Sequence, residues 1–461
     1  MHRTKDASRL LRPCLLVPVA FALFLTLSNL LTGCGGGTST KASPVPSQRN
    51  GRSIVSVTRQ FIDLAPSISA DGTRITFVSG RTGADRIFRS EYTSGQSPTA
   101  PSRITSDDSI TKELASTLSG NGAWVLIPGV KDGIRDLFFM PFGGGGLQQL
   151  TTDKDSESEA RFSPDSSLFA FIKSASPGAP GRAYIGSVGD GSTVTVAAIG
   201  NESDRFSQVI WGPGSYTLYA VGTDGTSTKR QLVSFTFSDY SSASTAVAST
   251  LLTDLPSPVL GQNNAGPVLA GSSMLFSQRL STGARSVSES GKAPQTGPTY
   301  GVKTETIAKA LDGSTSSIWS TLATTDSTPM AASSDGATVF SLNREVIRCV
   351  AEEAPSYVGY LMITAADGSN AQRLIPRTGP TAGTYEMTDD ACNRTHADGT
   401  SSTLDFSVAG AVFSAQSTRE AFRAAIVTSG NSAGGDPEVI LIDRMADGTT
   451  YYYSLSQNPK T

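Results

Sequence analysis

Gly430-Asn431-Ser432-Ala433-Gly434 fits the G-x-S-x-G spacing of a nucleophile elbow, in which a strand-to-helix turn lifts a serine hydroxyl toward a general base. That chemistry needs a histidine later in the chain, and none follows Ser432; the two histidines are His2 and His396. Ser432 therefore reads as part of a Gly/Ser loop. The same scarcity rules out a multi-histidine zinc centre, so neither a metal site nor a cofactor is expected. Asp153 to Glu159, DKDSESE, alternates carboxylates that could ligate calcium, but it lacks the glycine-centred spacing of an EF-hand loop and reads as solvated. Gly143 to Gly146 has no helix after it to present amides to a phosphate, so it reads as a turn. Carboxylates alone remain. A glycosidase-like pair needs nothing else, yet the sequence places no two acids at the required separation.

Composition narrows the class. With 461 residues, 38% hydrophobic and 17% charged, the chain can bury a core without staples. The 46 glycines and 24 prolines, set among Ser and Thr between short apolar runs, point to turns and short strands rather than long helices. A net charge of -3 gives no concentrated basic surface, which argues against nucleic acid.

The N-terminus is an export segment. MHRTKDASRLLR is basic, and PCLLVPVAFALFLTLSNLLTG is uncharged and mostly apolar. Leu31-Thr32-Gly33-Cys34 resembles the bacterial lipobox, which implies cleavage after Gly33 and lipidation of Cys34. An uncleaved transmembrane helix is the other reading. Gly35 after the cysteine, by resemblance to Gram-negative lipoproteins, favours the outer membrane. Residues 1–33 are then a signal peptide, and 34–51, rich in Gly, Ser, Thr and Pro, a lipidated tether. Losing Arg3, Lys5, Arg9 and Arg12 with the single acid Asp6 leaves the remainder more acidic.

Residues 52–461 must position any functional groups, and they repeat. PSISADGTRITFVSGRTGADRIFRSEY is followed by STLSGNGAWVLIPGVKDGIRDLFFMPF and ARFSPDSSLFAFIKS. Looser copies are QVIWGPGSYTLYAVGTDG and GPVLAGSSMLFSQRLSTGARSV. TPMAASSDGATVFSLNREVIRCV, completed by YVGYLMITAADGSNAQRLI, is clear again, and LDFSVAGAVFSAQSTREAFRAAI runs on to PEVILIDRMADGTTYYYSL. Each unit reads as strand, Asp-Gly turn, strand, loop, strand, at a spacing of about 40 to 50 residues. A four-stranded sheet has two apolar faces that it cannot bury alone, so such units pack face to face around an axis. The expected fold is an all-β propeller of four-stranded blades, seven-bladed, with a six-bladed ring carrying one divergent copy as an insertion left open. Arg52 to Ile62 alternates like a strand that completes the last blade beside Tyr451 to Leu455.

SADGTRITFVSGRTGADRIF and FSPDSSLFAFIKS resemble the repeat of the TolB-type, WD40-like (PD40) β-propellers, over about Arg52 to the C-terminus. TolB itself carries an N-terminal α/β domain, and since the stretch between the tether and Pro66 is too short for one, none is expected there. At the family's recurrent arginine position stands Arg81, where pairing with an acidic loop is expected rather than catalysis.

The functional expectation is an envelope lipoprotein, membrane-anchored through Cys34, whose propeller binds another envelope protein or a glycan without catalysis. A carboxylate-only carbohydrate-active enzyme or glycan-binding propeller is the alternative. Loops entering each blade carry Asp107, Asp108, Glu113, Asp153, Asp155, Glu157, Glu159, Glu202 and Asp204, which should line an acidic mouth. Loops between second and third strands carry Arg81, Arg86, Lys131, Arg135, Lys229 and Arg230, which should form a basic rim. Pairing of these acids and bases with one another is the competing expectation. With Cys14 removed and Cys34 occupied, Cys349 and Cys392 remain in an oxidising compartment and should form a disulfide.

Overall fold

A computed structural model of the chain describes residues 62–189, 194–223, 230–255, 267–281, 302–314, 316–318, 326–347, 356–375, 386–387, 394–395, 401–402, 408–428 and 437–455. Among them, seven antiparallel sheets with four strands in sequence order follow one another, spanning 63–103, 110–149, 156–198, 205–252, 268–318, 326–375 and 408–454. These are blades 1 to 7. In blade 2 the inner strand is in two pieces, Ile110–Glu113 and Thr117–Leu118, both paired with Trp124–Lys131. The weakest repeat forms a complete blade 5, so the copy that left a six-bladed ring open is a blade and the ring has seven. Between blades 6 and 7 lies a small three-stranded sheet of Glu386–Met387, Arg394–Thr395 and Ser401–Ser402.

Period-two alternation is what makes the blades stack. On the second strand of blade 1, Ile75 and Phe77 face blade 7, where they pack with Ala425, Val427 and Leu441, while Val78 faces Val125 and Ile127 of blade 2. Blade 2 repeats the division: Val125, Ile127 and Phe138 turn to blade 1, and Leu126, Leu137 and Phe139 to Phe169 and Phe171 of blade 3. Seven buried clusters result, one at each junction, including that between blades 7 and 1. The ring therefore closes by burying apolar faces, the dominant source of stability at about 25 cal/mol per Å².

One turn recurs at one end of the blades. Ser69, Ser119, Ser163 and Ser333 each donate a hydroxyl proton to Asp71, Asn121, Asp165 and Asp335 respectively, at 2.5–2.7 Å. Each also accepts the first N–H of the next strand, from Arg74, Trp124, Leu168 and Thr338, at 2.9–3.0 Å. The turn needs a left-handed residue, Gly72 at φ 71° in blade 1, where a Cβ would also strike Arg423 of blade 7. Because Leu168 is buried, Ser163→Ala strands its N–H. The expected cost is about 1 to 2 kcal/mol in a urea unfolding curve, and an unchanged midpoint would contradict the role of the hydroxyl.

Blade 7 takes its four strands from its own segment, Val408–Phe413, Phe422–Thr428, Glu438–Arg444 and Thr450–Ser454. Of the strand expected at 52–62, residues 52–61 lie outside the described residues, as do Cys34, Cys349 and Cys392, and Ile62 is not part of a strand. The described seam between blades 7 and 1 is held by side chains and turns. Asp63 donates its N–H to the Pro437 carbonyl (3.2 Å), and Gln416 donates to Ala70 (3.0 Å). Arg423 bonds the Asp71 carbonyl (2.6 Å), and Tyr92 donates its hydroxyl to Asp443 (2.7 Å).

Candidate functional site

Inner strands begin at the end of each blade opposite the Ser-x-Asp turns, so the loops that enter blades 2, 3 and 4 open on one side of the ring. The nine acids expected there divide by burial. Glu113, Glu157 and Asp204 are buried; Asp108, Asp153 and Glu202 are exposed, and Asp107, Asp155 and Glu159 are intermediate. Asp204 accepts the Asn201 N–H (2.7 Å) and closes its own loop. Asp107 accepts the Ser109 N–H (2.8 Å), and the Ser109 contacts hold its carboxyl below the ordinary range. Asp108 pairs with Arg103 (2.7 Å) and lies 3.6 Å from Arg86, and the Arg103 contact lowers its pKa. Asp153 is bonded to Lys173, and that bond with the Asp155 N–H outweighs partial burial and keeps it ionised. Glu159 sits at the bulge of its strand, at φ 55°, paired with Arg161 (3.2 Å). Asp155 and Glu202 carry no side-chain partner among the described residues.

The bases do not form a free ring. Arg81 is largely covered and pairs with the buried Asp63 (3.0 Å), lying over Phe77 and Phe88 with 5.4 and 4.6 Å from guanidinium to ring centroids. It pairs with the start of its own blade, not with a neighbouring loop. Arg86 is buried and donates to the Ile110 carbonyl of blade 2. Lys131 donates to Gln149 (3.1 Å). Arg135 and Arg230 are partly buried, which lowers both pKa values, and Lys229 lies outside the described residues.

Glu113 and Glu157, expected as loop charges, occupy a position that is structural in three blades. Asp63, Glu113 and Glu157 each stand six residues before a turn serine, and each is buried at the same register on its inner strand, opposite Ser79, Gly129 and Lys173. Their surroundings differ. Asp63 has Arg81. Glu113 accepts the Ile87 N–H from the third strand of blade 1, next to Arg86, although burial still raises its pKa. The counterpart of Arg86 in blade 2 is Asp136, and the counterpart N–H, that of Leu137, goes to Thr151 Oγ1 (2.9 Å) instead. Both oxygens of Glu157 are thus buried without a hydrogen-bond partner. Burial, then Asp136 and Asp153, push its pKa up to about 8. Asp63, Asp136 and Lys173 escaped the sequence reading; the six-residue spacing to the turn serine is the signal that finds Asp63.

Among the described residues no three His, Cys, Asp or Glu side chains are grouped to hold a metal ion, and no helix is long and apolar enough to cross a membrane. No protein-family model and no curated protein sequence matches the chain. Among solved structures it is similar to TolB from Acinetobacter baumannii, at 16% identity and a TM-score of 0.37, covering 57% of this chain and 56% of that one. The chain thus spans little more than half the length of that protein. It is similar to Porphyromonas gingivalis dipeptidyl peptidase 4, at 13% identity and a TM-score of 0.44, over 95% of this chain and 62% of that one. It is also similar to an oligogalacturonate lyase from Vibrio parahaemolyticus, at 9% identity and a TM-score of 0.45, over 85% and 93% of the two chains. By its own strand order the chain is a seven-bladed β-propeller, and TolB is among the structures to which it is similar.

Proposed function

We propose that the protein is an envelope lipoprotein, anchored through Cys34, whose propeller docks a basic segment of another envelope protein on the face where the inner strands begin. The observation that supports this is the pair Asp155 and Glu202, carboxylates at the entrances to blades 3 and 4 with no internal partner among the described residues. The neighbouring acids Asp108 and Asp153 are already neutralised by Arg103 and Lys173. An acid that a fold does not use is available to a partner's lysine or arginine, and it steers association more than it tightens it. The poverty of nucleophile-base pairs in the sequence supports binding over catalysis.

A photocrosslinker placed at Glu202 should yield adducts in intact cells, whereas one placed at Thr73, on the Asp-Gly turn face, should not. Equal labelling from both positions would contradict docking on the entry face. Anchoring has its own check. Mass spectrometry of the mature N-terminus should find a lipidated Cys34, and an intact Met1 would refute it.

A further inference from the structure

Among the described residues Glu157 is the member of its structural class whose carboxyl makes neither an ion pair nor a hydrogen bond, and the groups around it explain what its ionisation would do. Facing it are Arg135 and Asp136 from the third strand of blade 2, Thr151 after the fourth strand, Asp153 from the loop between blades, and Lys173 from the second strand of blade 3. Thr151 has one hydroxyl proton and lies 3.4 Å from Asp136 Oδ1, so it cannot serve both carboxyls at once. Lys173 is the direct cross-strand partner of Glu157, but its ammonium is committed to Asp153. Two carboxylates therefore compete for one lysine, and only one of them is exposed to water.

We propose that the proton on Glu157 decides which carboxylate Lys173 holds, and so whether the loop of residues 152–155 is fastened to blade 3. With Glu157 protonated the buried carboxyl is neutral, and Lys173 clasps Asp153 across the entry. When Glu157 releases its proton to solvent, a bare buried charge is far costlier than an exposed one, so Lys173 transfers to Glu157 and the clasp opens. Asp136 raises the pH at which this happens, because a second carboxylate beside Glu157 opposes its ionisation. The switch is independent of what docks on the face.

Lys154 lies exposed within the clasped loop and makes a built-in reporter. Trypsin cleavage after Lys154 in the folded full chain, normalised to the denatured chain at each pH, should rise severalfold between about pH 7 and about pH 9 as the clasp opens. In Glu157→Gln, which is isosteric and cannot ionise, the rise should vanish. In Asp136→Asn it should move to lower pH, and in Arg135→Gln it should persist. The same rise in Glu157→Gln, its absence from the native chain, an unmoved midpoint in Asp136→Asn, or its loss in Arg135→Gln would each overturn the transfer of Lys173. Hydrogen exchange of the 150–158 segment gives the same comparison without protease.

Discussion

Asp443→Ala is expected to lower the unfolding free energy by about 3 kcal/mol, because it removes the anion on which the described seam between blades 7 and 1 converges. Asp443 is buried and takes bonds from Arg423 Nε (3.2 Å), the Tyr92 hydroxyl (2.7 Å) and the Ser94 hydroxyl (2.8 Å). Tyr92 and Ser94 belong to blade 1, Arg423 and Asp443 to blade 7. Alanine leaves a buried phenol without its acceptor and strips Arg423 of its carboxylate, although the Asp71 carbonyl remains to it, at the one junction where chain continuity does not hold the blades together. Asp443→Asn keeps an oxygen for Tyr92 and should lose about half as much. The measurement is urea unfolding followed by tryptophan fluorescence. Alanine and wild-type curves that coincide would show that the apolar cluster alone closes the ring.

Asp63→Ala should cost a similar amount, about 3 kcal/mol, since Arg81 is left as an uncompensated charge with 9% of its side chain exposed. The same position in blade 3 should behave in the opposite way. A carboxyl whose pKa is raised on folding contributes stability that is full below its unfolded value of 4.5 and is lost as pH rises through about 8. Glu157→Gln should therefore match the wild type at or below about pH 4.5 and become increasingly the more stable of the two as pH rises to about 8. Thermal melts across that range decide the matter. A Glu157→Gln protein that is less stable at every pH would mean that the carboxylate is satisfied as it stands.

The contrast shows how much of the protein was legible in the sequence. Blade number and strand order were, because the phrase Ser-x-Asp-Gly carries its own hydrogen-bond network: the serine and aspartate that recur in the letters recur as the same bonds at Ser69, Ser163 and Ser333. Even blade 5 follows, since its alternating apolar residues must bury two faces whether or not the turn letters persist. The site was legible only in outline. Glu113, Glu157 and Asp204 read as mouth charges because acids are seldom fully buried, and only the fold shows them packed beneath the surface. That Arg86 neighbours Glu113 while Asp136 neighbours Glu157 was beyond reach, because each pair joins the third strand of one blade to the inner strand of the next. Neither residue of a pair announces its partner by spacing.

Docking on the entry face is tested most directly by the salt dependence of association, once the crosslinked partner is in hand. Asp107→Lys, Asp155→Lys and Glu202→Lys together alter acids that make no ion pair with a lysine or arginine among the described residues, and none of the three is buried. The account predicts a wild-type association rate that falls as ionic strength rises toward about 0.15 M, where screening sets in within about 8 Å, and a folded triple variant whose rate is lower and has lost that dependence. A variant that associates as fast as the wild type, with the same response to salt, would contradict it.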